Sequence, residues 1–285
     1  MQQLESVAEL RLAIASLRQQ HRRIAFVPTM GNLHAGHLRL VHEARKQADA
    51  VVASIFVNPL QFGANDDLDV YPRTPEQDSA VLEAEGVNVL FIPGVAEIYP
   101  RGLEQQTKVR VPGVSDILCG ASRPGHFEGV TTVVNRLFNL VTPDIAVFGK
   151  KDYQQLKIIR LMVEDLGLPI EIIGLDTVRE TDGLALSSRN QYLTQQERVV
   201  APRFYETLQT VANLIKDGQL QRREIEIQAI NILTGFGFEP DYVSVLRQQD
   251  LAAPTVSDTS LVILAAVRLG STRLIDNLEL SLVAD

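Results

Sequence analysis

Residues 24–50, IAFVPTMGNLHAGHLRLVHEARKQADA, with the run VVASIFVNP at 51–59, decide how the chain is built. IAFVPT at 24–29 is short and apolar, as a buried strand is, and a polar turn containing Gly31 and Gly36 follows it. LRLVHEARKQADA then places apolar residues at helical spacing. VVASIFVNP is continuous and β-branched rather than alternating, which predicts a second strand buried on both faces. Strand, helix and strand in this order imply a parallel sheet, because parallel neighbours need a crossover connection.

The same rhythm extends outward. It predicts a helix at 75–85, a strand at 87–92, a helix at 128–141, a strand at 144–148, a helix at 152–166 and a strand at 170–175. That alternation predicts an α/β fold, a Rossmann-like doubly wound parallel sheet over residues 1–176. Beyond 176 the pattern changes to helices at 194–216 and 222–234, then YVSVL at 242–246 and LVILAAVRL at 261–269, which predict a smaller α+β domain over 177–285. No repeat, low-complexity tract or Gly/Ser linker separates the two.

At 285 residues, with 45% hydrophobic and 22% charged content, the chain can bury a sizeable core and is not expected to be disordered. Its only cysteine, Cys119, allows neither an internal disulfide nor a cysteine zinc cluster, so a reducing, cytoplasmic setting is expected. Glu5, Glu9 and Arg11 interrupt the N-terminal apolar residues, unlike the core of a signal peptide. No run approaches the ~20 apolar residues that span a bilayer, and no membrane partner is expected. Lys and Arg total 27 against 35 Asp and Glu, a net charge of −8 that disfavours a nucleic-acid partner. Any site for an anion must therefore concentrate positive groups locally, which directs attention to loop-to-helix junctions.

Three clusters meet that requirement. In Met30–His37, His34 and His37 lie three apart at a helix start, beside unsatisfied backbone N–H groups, and Gly36 lets a ligand approach the backbone. HxxH alone equally describes packed or surface histidines. It is not HExxH, only His126 offers a distant third ligand, and no protein metal site is expected. The second cluster, FGKKDYQQ at 148–155, sets Gly149, Lys150 and Lys151 at another strand-to-helix junction. Its spacing is not that of a Walker A loop, and Asp152 reads alternatively as a helix N-cap beside solvated lysines. In the third, RETDGLALSSRN at 179–190, two hydroxyls and a guanidinium are suited to gripping a polyphosphate.

Taken in order, PTMGNLHAGH, NPLQFGANDDLDVYPRT, RPGHFEGVTTVV, FGKKDYQQ and ALSSRN resemble the pantothenate synthetase (pantoate–β-alanine ligase) family over nearly the whole chain. HAGH is similar to the HxGH signature of nucleotidylyltransferases and class I aminoacyl-tRNA synthetases, and SSRN to their KMSKS-type partner. Those two indicate only adenylyl transfer. The QFG, RPGHFEGV and GKKDYQQ stretches carry the narrower likeness. The resemblance implies that ATP and (R)-pantoate form a pantoyl adenylate with release of pyrophosphate, and that β-alanine then displaces AMP to give pantothenate.

The resemblance also implies roles for residues. Met30, Gly31, Asn32, Leu33, His34, Ala35, Gly36 and His37 match an ATP element, with His37 at the proton-donor position. His34 and Lys151 are the further catalytic groups, Lys151 toward the α- and β-phosphates. Gly149, Lys150, Lys151 and Asp152 match a second nucleotide segment, Leu186, Ser187, Ser188 and Arg189 a phosphate loop, and Val178 a backbone contact to adenine. Gln61 and Gln155 match the positions that hold pantoate, Gln61 also lying near β-alanine, with Asn58 and Arg123 secondary. Mg²⁺ is implied, held mainly by ATP phosphates and water, and so is a homodimer. Ala35 stands where the family often has an acidic residue and Leu186 where it often has methionine, and neither supplies chemistry. Two other readings stay open: a nucleotidylyltransferase acting on a phosphate ester, which would leave a dinucleotide-type product, and a non-catalytic RNA-binding relative of a tRNA synthetase, against which the acidic balance argues.

Overall fold

The computed structural model describes residues 1–63, 66–218 and 221–282. The chain divides into two compact units, Met1–Gly149 with Gln154–Asp176, and Lys150–Tyr153 with Thr177–Asp285.

In the first unit, strands β1 (Gln2–Leu4), β2 (Ile24–Thr29), β3 (Ala50–Ile55), β4 (Val89–Phe91), β5 (Ile145–Gly149) and β6 (Glu171–Leu175) form one sheet in the order β1-β4-β3-β2-β5-β6. Every neighbouring pair is parallel. Helices α1 (Val7–Gln19), α2 (Ala35–Gln47), α3 (Pro75–Ala84), α4 (Val95–Ile98), α5 (Cys119–Ser122), α6 (His126–Val141) and α7 (Tyr153–Asp165) lie in the connections. The central strands are apolar without alternation because both faces are covered: Ile24, Ala25, Phe26 and Val27 are all fully buried. Strand order runs one way from β2 to β3 and the other way to β5, so the carboxyl ends of β2 and β5 are the switch point at which open α/β sheets bind ligands.

Three local features depart from the sequence reading. Helix α1, not among the helices expected from sequence, is fixed by a Ser6–Glu9 capping box and by buried Leu10, Ala13, Ile14 and Leu17. The strand expected over 51–59 ends at Ile55, because Asn58 Oδ1 accepts the Leu60 N–H at 3.3 Å and caps a 3-10 turn over Pro59–Gln61. The edge strand β1 is only three residues long, too short for a periodic signal.

The second unit holds α8 (Gln195–Val200), α9 (Arg203–Lys216), α10 (Arg222–Gly235) and an antiparallel sheet of β7 (Glu239–Arg247), β8 (Ser260–Leu269) and β9 (Thr272–Ser281). Phe204, Leu208 and Val211 from α9 and Ile225, Ala229 and Leu233 from α10 share its core with Val243, Val245, Ile263, Ala265 and Val267 from the sheet. The single helix expected over 194–216 is two, since Pro202 has no N–H to continue the ladder. Strand β9, absent from the sequence reading, returns from β8 through Gly270 and Ser271, with Gly270 at φ 57° supplying the left-handed residue a two-residue hairpin needs. Among the described residues no helix is long and apolar enough to cross a membrane.

Candidate active site

In the first unit the loop after β2 runs into α2 through a pair of histidines that cap each other. His34 is the N-cap, and its Nδ1 accepts the Gly36 N–H at 3.1 Å while His37 Nδ1 accepts the His34 N–H at 3.3 Å. Such reciprocal caps are usually built from Ser or Thr with Glu or Gln. Here imidazoles take both places, with ring centroids 4.1 Å apart. Because each Nδ1 accepts from backbone, each neutral ring carries its proton on Nε2. Two Nε2–H donors thus sit at the positive end of α2. This revises the expectation of open amides: the Gly36 N–H is held by His34, and the His37 N–H donates to the His34 carbonyl at 2.8 Å. Ala35, one of the two departures from the pattern, is exposed.

Met30 and Gln61 meet beside this loop. Gln61 is buried, its Nε2 donates to Met30 Sδ at 3.1 Å, and its Oε1 accepts from Asn58 Nδ2 at 3.1 Å. Asn58, also buried, donates to the Gly129 carbonyl at 3.1 Å and accepts from Tyr99 Oη at 2.7 Å. Burial pushes the Tyr99 phenol well above its ordinary range and keeps it a donor. The Gln61 carbonyl accepts from His126 Nδ1 at 2.8 Å and from Arg123 at 3.3 Å, and Arg123 pairs with Asp66 at 2.8 Å. Burial raises the Asp66 carboxyl, but hydrogen bonds from Arg123 and the Gly63 amide outweigh it and hold the group below its usual range. His126 and Arg123 therefore act on the Gln61 backbone.

At the carboxyl end of β5 the structure separates two adjacent glutamines. Gln154 is buried, accepts the Cys119 N–H at 3.1 Å and donates to the Val114 and Ile117 carbonyls at 2.8 Å each. Gln155 is half-buried, and no hydrogen bond joins it to Gln61 among the described residues.

In the second unit, β9 holds the lysine turn. Asn277 Nδ2 donates to the Lys150 carbonyl at 2.8 Å and the Lys151 carbonyl at 3.1 Å. Lys150 Nζ and Tyr153 Oη both bind Glu279, at 2.7 and 2.8 Å. Lys151 has no ion pair among the described residues, and Asp152 is exposed and caps nothing. Leu186 N–H donates to the Val178 carbonyl at 2.9 Å next to an Arg179–Ala185 bridge, and Ser187 Oγ accepts the Arg189 N–H at 3.3 Å to start the turn Ser188–Tyr192. The structure thus joins Val178, Leu186, Ser187, Ser188 and Arg189 in one loop. Arg179 has a different task, a bidentate pair with buried Asp276 at 2.6 and 2.8 Å beneath the Tyr205 ring. Asp276, Asn277 and Glu279 escaped the sequence reading with β9 itself. Among the described residues no group of three or more His, Cys, Asp or Glu is placed to hold a metal ion.

A profile of the pantoate–β-alanine ligase family matches residues 2–279. The chain is 57% identical to the pantothenate synthetase of Shewanella oneidensis over 96% of this chain and 97% of that one. It is similar to the crystal structure of pantothenate synthetase from Thermus thermophilus, with a TM-score of 0.91 and 46% identity over 98% of this chain and 99% of that one. It is also similar to the pantoate–β-alanine ligase of Francisella tularensis complexed with β,γ-ATP and β-alanine, with a TM-score of 0.82 and 34% identity over 98% and 97%. Matched along its length by the profile, the relative and the structures, the chain belongs to the pantoate–β-alanine ligase family.

Proposed function

We propose that the protein joins (R)-pantoate and β-alanine to pantothenate at the expense of ATP, through an enzyme-bound pantoyl adenylate. The observation that carries the reading is the reciprocal histidine cap at the switch point, where both Nδ1 atoms accept from backbone and the neutral rings' donors are their Nε2–H groups. A pantoate carboxylate oxygen attacks the α-phosphorus, the bond to the β-phosphate oxygen breaks, and pyrophosphate leaves. Negative charge grows on the non-bridging oxygens, where His34, His37 and Lys151 stabilise it, and loss of one such donor costs ~10²–10³ in rate. His37 is the group from which a proton passes to the substrate phosphates. The amine of β-alanine then attacks the acyl carbon, the acyl–phosphate bond breaks, AMP departs and the amine loses its proton.

The remaining roles follow the chemistry of the side chains. Gln61 and Gln155 hold pantoate through neutral amides that serve both hydroxyl and carboxylate. Met30, Gly31, Asn32, Leu33, Ala35 and Gly36 shape the nucleotide's bed, with Gly149, Lys150 and Asp152 in the second segment. Leu186, Ser187, Ser188 and Arg189 take the outer phosphates. Val178 gives adenine a backbone contact beside the bond its carbonyl accepts from Leu186. Mg²⁺ enters on the polyphosphate, since the described residues offer no cage for it. In this reading residues 1–176 bind nucleotide and pantoate, residues 177–285 carry the phosphate loop, and the protein is a cytoplasmic homodimer. The complex of the Francisella relative with β,γ-ATP and β-alanine supports the substrate pair.

The test is a product assay with ATP, Mg²⁺ and pantoate, with and without β-alanine, on the unaltered protein and on His37→Ala and Gln61→Ala. Equal amounts of pantothenate and AMP, formed only with β-alanine and reduced in both variants, are expected. A dinucleotide-type product would move the protein to the nucleotidylyltransferases.

A further inference from the structure

Asp78, in the first turn of α3, is only 2% exposed, and no ion pair compensates it among the described residues. Burying a carboxylate without a cation is costly, and here its compensation comes from backbone. Asp78 Oδ2 accepts the Asn32 N–H and Oδ1 accepts the Leu33 N–H, each at 2.8 Å. The two amides converge because Gly31 and Asn32 both have left-handed φ, 81° and 50°. Successive N–H groups turned to one side make a concavity that binds an anion. In this loop the protein's own carboxylate fills it. The fit leaves no slack: a Cβ on Gly31 would stand 3.0 Å from Asp78 Oδ2 and 3.1 Å from Ile55 Cγ2.

We propose that Asp78 is a positioning residue, which pins the loop 31–33 and thereby sets the reciprocal His34–His37 cap that presents both Nε2–H donors. Leu33 is bonded directly to His34, so a rotation of the Asn32 and Leu33 peptides moves the N-cap and the two histidine bonds that depend on it. Because the nest is occupied from inside, a substrate phosphate meets imidazoles rather than these amides. An amide at position 78 can replace only one of the two acceptors, since its NH₂ would face a backbone N–H. The argument rests on the ligase reading of the histidine pair.

The test combines kinetics with a measurement that needs no turnover. Asp78→Asn is expected to lower kcat for pyrophosphate release from ATP and pantoate on the order of 10²-fold. KM for β-alanine should stay unchanged, and little further loss should follow in a His37→Ala background. Long-range ¹H–¹⁵N spectra of the imidazoles should show the Nε2–H tautomer for His34 and His37 in the unaltered protein and an averaged state in Asp78→Asn. Full additivity with His37→Ala, or ring spectra that Asp78→Asn leaves untouched, would overturn the proposal. Asp78→Glu, which keeps the charge but moves the acceptor by one methylene, carries the same cycle if the amide variant does not fold. Failure of the unaltered protein to make pantothenate would sink the ligase reading, while the ring spectra would still judge Asp78.

Discussion

Adding one methyl group, Gly129→Ala, tests whether the Gln61 amide is held by the close approach of α6 to the turn that carries it. A Cβ at position 129 would lie 2.2 Å from the Leu60 carbonyl oxygen, 2.4 Å from its carbon and 2.6 Å from the Gln61 nitrogen. Non-bonded carbon atoms settle at about 3.5–4.0 Å, so helix and turn must part by about 1 Å. All three neighbours are backbone and none can rotate aside. Parting them stretches the 3.1 Å bond from Asn58 to the Gly129 carbonyl, and the Asn58 amide also orients Gln61 Oε1. Overpacking of this kind costs about 1–3 kcal/mol of stability. A 1 Å displacement of a substrate-positioning group lowers the rate by on the order of 10². The assay is pyrophosphate release at varied pantoate beside a thermal melt, with Gly235→Ala, which meets nothing within 4 Å, as the silent control. The expected result is a raised KM for pantoate with a smaller change for ATP. Unaltered kcat/KM for pantoate in a folded Gly129→Ala protein would refute the reasoning.

Three further perturbations follow from the same geometry. Lys151→Ala should cost ~10²–10³ in the adenylation rate, and Lys150→Ala distinctly less, because Lys150 is already neutralised by Glu279; equal losses would count against Lys151 as the phosphate ligand. Asp276→Asn strands Arg179 opposite a neutral group and should lower stability by about 3–5 kcal/mol, toward the low end because the Arg179 side chain is itself 17% exposed; a urea midpoint shift worth less than ~1 kcal/mol would put the pair among those that stabilise little. For Asp144, burial raises the carboxyl, but hydrogen bonds from Arg18 and the Ile24 amide outweigh it and leave the group below its ordinary range. A native pKa below the unfolded one means its stabilisation is complete above about pH 4 and is lost as pH falls through the lowered value. The stability gap between the unaltered protein and Asp144→Asn should therefore be full at neutral pH and close on acidification, and a gap that acid does not narrow would contradict the assignment.

Much of the first unit is legible in sequence because its signals are local. Buried parallel strands read as unbroken apolar runs, and the His34–His37 spacing at a strand end points to a helix start, though not to the cap the two rings make there. What escaped depends on pairing across distance. Asp78 is one acidic residue in a helical stretch, and nothing near it in sequence reveals that it closes on amides 45 and 46 residues away. Gly129 looks like an ordinary helical glycine until the turn at Leu60 is seen against it. Strand β9 escaped for another reason: Asp276 points inward among Leu274 and Leu280, so a charge interrupts the apolar face that alternation would have displayed. With it went Asn277, which holds the carbonyls of both lysines, and Glu279, which pairs with Lys150 and so distinguishes it from Lys151.

The anchoring of the lysine turn by β9 sets an order of events during synthesis. Asn277 lies 126 residues after Lys151, and Glu279 129 residues after Lys150. At about 5–20 residues per second, a ribosome needs roughly 6–25 s to make that intervening chain. The last strand of the first unit's sheet ends at Leu175, long before any residue of β9 that steadies the lysine turn exists. A nascent chain therefore carries both lysines without their bonds to Asn277 and Glu279 until nearly its last strand emerges.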